Sequence, residues 1–435
     1  MKQAIAILLA ILLMPSQADS DEPSLRIQHR RPAAAVLVDG GRTLCVANRR
    51  SGTLSLIDVA SRSVSEKQIG QQLSDIVELP GSDQLLVSDF AGGAVIVVKH
   101  SADGLKIVNR VDVAAWPESI AVNKNGDFVC VASLWSRRLV ILSGEPSIAS
   151  KNVALKKCHE IDLPFAPRSI AFVDATRVVV ADSFGGRLAV VDCVAGAKTT
   201  EHELPVHNVR DLTVGNDRRL YVTCQRLNPK GYSDREDIHW GILIENEILA
   251  IDIASLIEAE GQRSLSPERI TLGGPGEGAG DPDAVLVTTE KLVVTLAGTD
   301  ELAIVDRVGV RESRVPTGGR PIDLIHDKAT NRAFVVNSLS DSISVVDLAE
   351  NRTVDTISLG PSPPPGTIDR GETAFFSAKL SHESWMSCHS CHTDGHTNNG
   401  LADTLGDGDF GDAKRVPTLL GVWSTGPWAW NGSQH

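Results

Sequence analysis

The stretch Val46–Asp58 reads VANRRSGTLSLID and decides the fold of this chain. In it a short apolar run ends in a small polar residue, a turn containing glycine follows, and a second apolar run ends in aspartate. Two such runs separated by turn residues predict a pair of antiparallel strands. The phrase returns towards the other end of the chain, where Val336–Asp347 reads VNSLSDSISVVD. A unit that recurs in this way predicts a repeat architecture.

Seven copies of the unit, mostly about 40 residues apart, fill the middle of the chain. Each copy has the apolar runs and turn signals of a four-stranded meander, which cannot bury both of its faces alone. Radial stacking buries these faces against one another and predicts a mainly β protein, with a seven-bladed β-propeller over residues 21–359. The paired apolar runs of the copies are Leu44–Asn48 with Leu54–Asp58, Leu85–Asp89 with Val95–Val98, Phe128–Ser133 with Leu139–Leu142, Val178–Ser183 with Leu188–Asp192, Leu220–Thr223 with Ile248–Asp252, Leu292–Thr295 with Leu302–Asp306, and Phe334–Ser338 with Ile343–Asp347.

The two phrases quoted above resemble the YVTN family of propeller repeats. The fifth copy departs from the pattern through an insertion, Arg226–Glu247, between its second and third strands. Two interpretations stay open for this loop: it contacts a partner or the C-terminal part of the chain, or it has no role. Aspartates end equivalent strands, and we interpret them as turn caps rather than metal ligands; they are Asp58, Asp192, Asp252, Asp306 and Asp347.

The second informative motif is Cys388-His389-Ser390-Cys391-His392, a C-x-x-C-H sequence near the C-terminus. Thiols at this spacing bond covalently to the two vinyl groups of one haem c, and the histidine that follows supplies an axial nitrogen to the iron. We therefore predict thioether bonds from Cys388 and Cys391, with His392 as the metal ligand. A thioredoxin-like redox pair is disfavoured because no βαβ pattern surrounds the motif. A zinc site is disfavoured because no second cysteine pair completes it.

The N-terminus predicts the compartment. Lys2 precedes a short apolar run that ends at Met14, and small and polar residues follow up to Ser20. This order is typical of a secretory signal peptide, which we assign to residues 1–20, and an uncleaved signal anchor is the alternative. We expect an exported, periplasmic protein that is not an integral membrane protein after signal cleavage.

Charge and cysteine content limit the partners. The 435 residues carry 42 basic and 55 acidic side chains, a net charge of −13, which argues against nucleic acid as a partner. Five cysteines lie outside the haem motif, and we expect four of them to be small buried side chains in apolar runs; one disulfide among the five stays open. They are Cys45, Cys130, Cys158, Cys193 and Cys224.

A proline-rich linker, residues 360–368, separates the repeats from a different kind of sequence. We expect a helix over Arg370–Leu380 and a small α-helical cytochrome c-type domain over residues 369–435. Gly371, Phe375-Phe376, the C-x-x-C-H motif, Val416-Pro417-Thr418 and Trp428–Gly432 follow in order. Together they resemble the first haem domain of the diheme cytochrome c peroxidase family, which includes the tryptophan-tryptophylquinone-forming diheme enzymes.

The resemblance implies a peroxidatic haem with two catalytic residues. Trp430 matches the tryptophan that lies between the two haems of the family, with Asn431 in place of an aspartate. Asp407 stands where many members have a distal histidine, and Asp409 and Asp412 are further carboxylates nearby. Candidate sixth ligands of the iron are His396, His435 or none.

The family also has a second C-x-x-C-H domain, which this chain does not reach before its last residue, His435. We therefore expect the haem domain to be incomplete, with a second haem only in a longer chain or a partner. Two functions compete. The first is a peroxidase-like oxidoreductase that uses peroxide and a redox partner protein, with the propeller as docking module. The second is a non-enzymatic electron-transfer cytochrome with the propeller as scaffold.

Overall fold

The computed structural model describes residues 28–101, 104–145, 154–258, 265–307, 312–403 and 413–428. Within these ranges, seven four-stranded antiparallel sheets follow one another along the chain, each a simple meander. The first strand of every sheet lies beside the first strand of the next, and the first strand of the seventh sheet lies beside that of the first. The predicted seven-bladed β-propeller is therefore confirmed.

The first four blades use strands β1 to β16. Their bounds are Pro32–Val38, Thr43–Asn48, Thr53–Asp58 and Val64–Gln68 in blade 1; Leu73–Glu78, Gln84–Asp89, Ala94–Ser101 and Gly104–Asp112 in blade 2; Pro117–Val122, Phe128–Ser133, Arg138–Glu145 and Ala154–Asp162 in blade 3; and Pro167–Phe172, Arg177–Asp182, Arg187–Asp192 and Ala197–Glu203 in blade 4.

The last three blades use strands β17 to β28. Their bounds are His207–Val214, Arg219–Leu227, Ile244–Asp252 and Glu268–Leu272 in blade 5; Pro282–Val287, Lys291–Leu296, Glu301–Asp306 and Glu312–Pro316 in blade 6; and Pro321–Asp327, Arg332–Asn337, Ser342–Asp347 and Arg352–Ser358 in blade 7. Blade 5 also carries two short helices, α1 (Arg235–His239) and α2 (Ile253–Glu258).

The repeated phrase has a local structural reason. The side-chain amide of Asn48, at the end of β2, donates to the hydroxyls of Thr53 and Ser55 on β3 at 3.0 and 2.9 Å. In blade 7, Asn337 donates in the same way to Ser342 and Ser344. A buried amide that joins two neighbouring strands satisfies donors that the core would otherwise leave unpaired. The small polar residue and the serines of the phrase are thus one hydrogen-bonded unit.

Apolar packing between blades stabilises the ring. Each of the seven junctions between neighbouring blades holds its own cluster of buried apolar side chains, including the junction of blades 7 and 1. Full burial of one such Val, Leu or Ile side chain contributes about 1.5–3 kcal/mol. Each blade takes all four of its strands from one continuous stretch of chain, so no blade contains strands from both ends of the propeller. The junction of blades 7 and 1 is therefore closed by apolar packing and by a buried carboxylate. That carboxylate, Asp341, accepts the backbone N–H groups of Arg30 and Arg31.

Four of the five cysteines outside the haem motif are buried, as expected, and Cys158 is exposed. Burial raises the pKa of the Cys45 thiol to about 12, so it behaves as a small apolar side chain. All seven cysteines are free thiols in the structure, and the sulfurs of Cys130 and Cys193 lie 3.5 Å apart. No helix of the described ranges is long and apolar enough to cross a bilayer.

The C-terminal segment, residues 367–403 and 413–428, differs from the expected α-helical domain. Its described part contains only two helices, α3 (Thr367–Phe376) and α4 (Cys388–Cys391). It adds a two-strand pair, β29 (Leu401–Ala402) with β30 (Lys414–Arg415). The remaining elements are short 3-10 turns, at Ala378–Leu380, His382–Ser384, Thr393–Gly395 and Val422–Ser424. The segment lies on the propeller and makes no clear separate domain.

The predicted helix over Arg370–Leu380 is present with shifted ends. It begins at Thr367 because the Asp369 carboxylate accepts the N–H of Gly366 at 2.8 Å, which caps the first turn. It ends at Phe376 because the chain docks on blade 6, where the Ala378 N–H donates to the Gly298 carbonyl at 2.8 Å. A tertiary contact thus ends a helix that local sequence would continue.

Candidate functional site

The C-x-x-C-H motif forms a single helical turn, α4, with polar residues that cap it. Ser387 stands at its N-terminus and accepts the N–H of His389, while the Ser387 N–H donates to the hydroxyl of Ser390 at 2.9 Å. This reciprocal pair is a capping box, which stabilises a turn too short to persist alone. The two cysteines and His392 therefore lie on one ordered turn.

A buried carboxylate of the propeller holds this turn in place. Asp281 immediately precedes the first strand of blade 6, and both of its oxygens accept hydroxyls of the turn, from Ser387 and Ser390. Burial alone would raise the pKa of Asp281, but the hydrogen bond and charge of His389, together with the two hydroxyls, hold that pKa below its usual value. The turn is thus attached to an ionised group inside the protein.

A buried histidine of blade 5 supports the same turn from another side. His207 Nε2 donates to the carbonyl of Ser390 at 3.0 Å. Burial lowers the pKa of His207 to about 4, so the ring is neutral at physiological pH and carries its proton on Nε2. Sequence reasoning found neither Asp281 nor His207. In the sequence, their only common feature is that each is a polar residue at or next to the start of the first strand of a blade.

His392 is oriented by a backbone carbonyl. Its Nδ1 lies 2.9 Å from the carbonyl oxygen of Pro417, so Nδ1 carries the proton and Nε2 keeps its lone pair. Such a second hydrogen bond fixes the ring and raises its basicity towards a metal. An imidazole with a free Nε2 beside two free thiols is the donor set that a covalently attached haem needs.

The surroundings of the turn also suit a large apolar group. Cys388 is exposed, whereas Cys391 is partly buried, and burial with the charge of Asp281 raises the pKa of the Cys391 thiol to about 12. Several large apolar side chains of the C-terminal segment are exposed to solvent, among them Leu420 and Trp423, the latter 84% exposed. Exposed apolar groups of this size are available to contact a bound ligand or a partner. The residues present therefore fit haem c.

His396, the candidate sixth ligand within the described ranges, is held by neighbouring side chains. Its Nδ1 lies 2.8 Å from the hydroxyl of Thr418, and its ring packs edge-on against Trp135 of blade 3 and Phe184 of blade 4. Burial and the charge of Arg137 lower the pKa of His396, so it is neutral at pH 7. The ring is thus ordered by the propeller, and its role as a sixth ligand stays a prediction.

Ion pairs also join the C-terminal segment to the propeller. Asp369 and Glu372 of α3 pair with Arg31 and Arg50 of blade 1 at 2.6 to 3.3 Å. Asp394, just after the haem motif, pairs with Arg168 of blade 4 and with Arg210 of blade 5.

Asp394 lies between the two arginines of blades 4 and 5. Burial alone would raise its pKa, but the two guanidinium groups hold that pKa well below its usual value. The segment thereby covers the face at which the first strands of the blades begin.

The insertion of the fifth copy contacts the C-terminal segment, which favours the first of the two interpretations left open for it. His239 pairs with Glu383 at 2.8 Å, and the Asn246 amide donates to the Trp385 carbonyl at 3.0 Å. Gly241 lies against the Trp385 ring, which is almost fully buried. Four of the five strand-ending aspartates are turn caps as expected, Asp58, Asp192, Asp252 and Asp347; Asp192, for example, accepts the N–H groups of Val194 and Ala195.

The proposed catalytic residues Asp407 and Trp430 lie outside the described residues, as do Asp409, Asp412, Asn431, His435 and the predicted signal peptide. The structure therefore does not test them, and they stay predictions. Among the described residues no group of three or more His, Cys, Asp or Glu could hold a metal ion. Haem iron needs only one ligand from the protein, so the absence of such a group does not argue against His392 as that ligand.

Comparison with known proteins identifies the fold. No protein-family model matches the chain, and no curated protein matches it either. Among solved structures, hydrazine synthase of Kuenenia stuttgartiensis is 16% identical with a TM-score of 0.62, covering 76% of this chain and 99% of that one.

Two further solved structures give the same result. Virginiamycin B lyase of Staphylococcus aureus is 13% identical with a TM-score of 0.53, covering 72% and 93% of the two chains. A putative 6-phosphogluconolactonase of Bacteroides fragilis is 14% identical with a TM-score of 0.51, covering 67% and 86%. At these identities the likeness concerns the fold alone: this chain shares a propeller with proteins of different names.

Proposed function

We propose that this chain is an exported c-type haem protein that works as a peroxidase-like oxidoreductase, with its propeller as the support and docking module of the haem. The observation that carries the proposal is the hydrogen bond from His392 Nδ1 to the Pro417 carbonyl, next to the two free thiols of α4. It leaves Nε2 as the free nitrogen of a fixed ring, which is the arrangement an axial ligand needs.

The residues of the site have different proposed roles. Cys388 and Cys391 would tether the haem, and His392 would supply a nitrogen ligand to its iron. Asp281, His207 and the capping serines keep the turn in one conformation. When bound, haem supplies an iron centre that exchanges single electrons and binds small ligands. Asp407 is proposed to move a proton between the oxygens of peroxide, and Trp430 to carry electrons, both on the resemblance to the diheme peroxidase family.

The decisive experiment extracts the purified holoprotein with acid and organic solvent. We expect the haem to stay with the chain, because two thioether bonds survive denaturation. The double variant Cys388→Ala/Cys391→Ala should lose its haem, whereas Cys158→Ala, an exposed free thiol elsewhere, should keep it. Haem that leaves the wild-type chain would overturn the proposal.

Electron transfer without catalysis is the second candidate, favoured by the exposure of Cys388, which leaves one edge of the attachment site open to a redox partner. Visible spectra with and without peroxide separate the two. A high-spin ferric haem that turns over peroxide with a reduced cytochrome donor supports the peroxidase. A low-spin haem without turnover, converted by His396→Ala, supports electron transfer with His396 as sixth ligand.

A further inference from the structure

A cavity of about 540 Å³ lies in the central channel of the propeller, under the C-terminal segment. Side chains of all seven blades line it, together with Glu372, Phe376 and Asp394 of that segment. Five arginines converge on this space: Arg31, Arg49, Arg168, Arg210 and Arg320. Pockets of this size hold small organic molecules, and a few convergent polar groups usually set which molecule binds.

Four of these arginines already have carboxylate partners. Arg31 pairs with Glu372 at 2.8 Å, and Arg49 and Arg168 share Glu118 at 2.9 and 2.7 Å. Arg210 lies 3.4 Å from Asp283 and 3.3 Å from Asp394. Their charges are therefore balanced within the protein, and they give the cavity its shape rather than a free binding group.

Arg320 is different. Its guanidinium lies over the ring of Phe376, with 3.4 Å from its central carbon to the ring centroid. Within the described ranges no carboxylate forms an ion pair with Arg320, and its Nε is buried without an acceptor. Burial lowers the pKa of Arg320 to about 10, so it stays charged at neutral pH. A cation with a buried donor that lacks an acceptor is costly, and an anion that binds beside it removes that cost.

The remaining acidic side chains of the cavity do not pair with Arg320. Asp75, Asp211 and Asp323 each accept a backbone N–H of the following blade, those of Ile120, Val285 and Ala35. They are thus committed to joining neighbouring blades. Phe376 lies against Arg320, and Phe90, Trp135 and Ile322 are further apolar residues of the cavity wall.

We propose that the channel cavity binds a small organic carboxylate with an apolar body, its carboxylate paired with the Arg320 guanidinium and its body against the aromatic wall. A planar guanidinium matches a carboxylate through two parallel hydrogen bonds, which a neutral molecule cannot reproduce. The site does not depend on haem attachment, so its failure and the failure of the proposed function are separate results.

The test measures binding to the full chain by calorimetry, with benzoate as the probe and benzamide as its neutral analogue of the same shape. We expect benzoate to bind at least about tenfold more tightly than benzamide, since hydrogen bonds to a charged group contribute most of the difference. This comparison uses the wild-type protein and does not depend on the folding of a variant.

Arg320→Gln should weaken benzoate binding about tenfold or more. Arg352→Gln, an exposed arginine of the same blade, should leave it unchanged. The proposal is overturned if benzoate does not bind, if benzamide binds equally well, or if a folded Arg320→Gln protein keeps the affinity of the wild type.

Discussion

At the scale of single residues, the haem motif depends on a residue that the motif does not contain. Asp281 lies more than a hundred positions before the cysteines in the chain, yet both of its oxygens accept hydroxyls of the capping serines around α4. The hydroxyl groups and the charge of His389 keep this carboxylate ionised despite its burial. The conformation of the attachment turn is therefore set jointly by a local cap and a distant buried anion.

Asp281→Asn should loosen the turn without removing either cysteine thiol or the imidazole of His392. The amide offers one acceptor in place of two, so one serine hydroxyl loses its partner inside the protein, at a cost of about 1–3 kcal/mol. Hydrogen exchange followed by mass spectrometry should show faster exchange over residues 387–392. Asp355→Asn, a half-exposed aspartate of blade 7, is the control and should leave that segment unchanged. Equal exchange in Asp281→Asn and wild type would show that the capping box alone holds the turn.

At the scale of elements, the insertion in blade 5 and the C-terminal segment fit each other closely. Gly241 has a φ of +67°, and a Cβ at this position would lie 2.5 Å from the ring of Trp385. The N–H groups of Gly278 and Gly280 donate to the carbonyls of Glu383 and Ser384, so blade 6 continues the same contact surface. The glycines allow two backbones to approach each other at a distance that side chains would prevent.

Gly241→Ala should therefore destabilise the docking of the C-terminal segment. It combines a left-handed backbone with a clash against a buried indole, and we expect a loss of about 1–3 kcal/mol in the free energy of unfolding. Thermal unfolding should show a lower midpoint, with faster exchange in residues 378–387. Gly274→Ala is the matched control, because its Cβ would meet nothing within 4 Å and its φ is not positive. A Gly241→Ala protein as stable as this control would contradict the fit.

At the scale of the whole molecule, carboxyl groups in the channel make the stability of the contacts between blades depend on pH. Asp75 and Asp323 each join their blade to the next through a backbone N–H. Burial raises the pKa of Asp323 to about 8 and that of Asp75 to about 7, despite those hydrogen bonds. In the unfolded chain an aspartate titrates near pH ~3.9. The folded protein thus binds more protons than the unfolded one between these values.

These two carboxyl groups should consequently lower the free energy of unfolding as pH rises from about 5 to 8, by up to about 1.4 kcal/mol per pH unit for each of them. The side-chain amide introduced by Asp323→Asn has no acidic proton to lose. The free energy of unfolding should therefore depend less steeply on pH in this variant, whatever its value at pH 5. Unfolding by denaturant at several pH values measures both quantities. Asp162→Asn changes an exposed carboxylate and should keep the slope of the wild type. An identical slope in all three proteins would exclude a contribution from Asp323.

The propeller could be predicted from the sequence because its signals are local and repeated. An Asn at the end of one strand and hydroxyl residues on the next lie within one phrase, as at Asn48 and Ser55, so the hydrogen bonds that define a blade join near neighbours in the chain. The predicted helix before the haem motif was found with shifted ends, since a contact with Gly298 ends it. The separate cytochrome domain was not found among the described residues, because helical signals say nothing about what a helix packs against.

The sequence by itself determined the number of blades, the strand order within each blade and the C-x-x-C-H motif. Periodicity and short spacings are properties of adjacent residues, and they express the geometry of strands and single turns. Only the tertiary structure decided that Asp281 and His207 hold the haem turn, that Asp394 pairs with Arg168 and Arg210, and that Arg320 stays without a carboxylate in the channel. These groups come from different blades, far apart in the chain, and only closure of the ring brings them to one place.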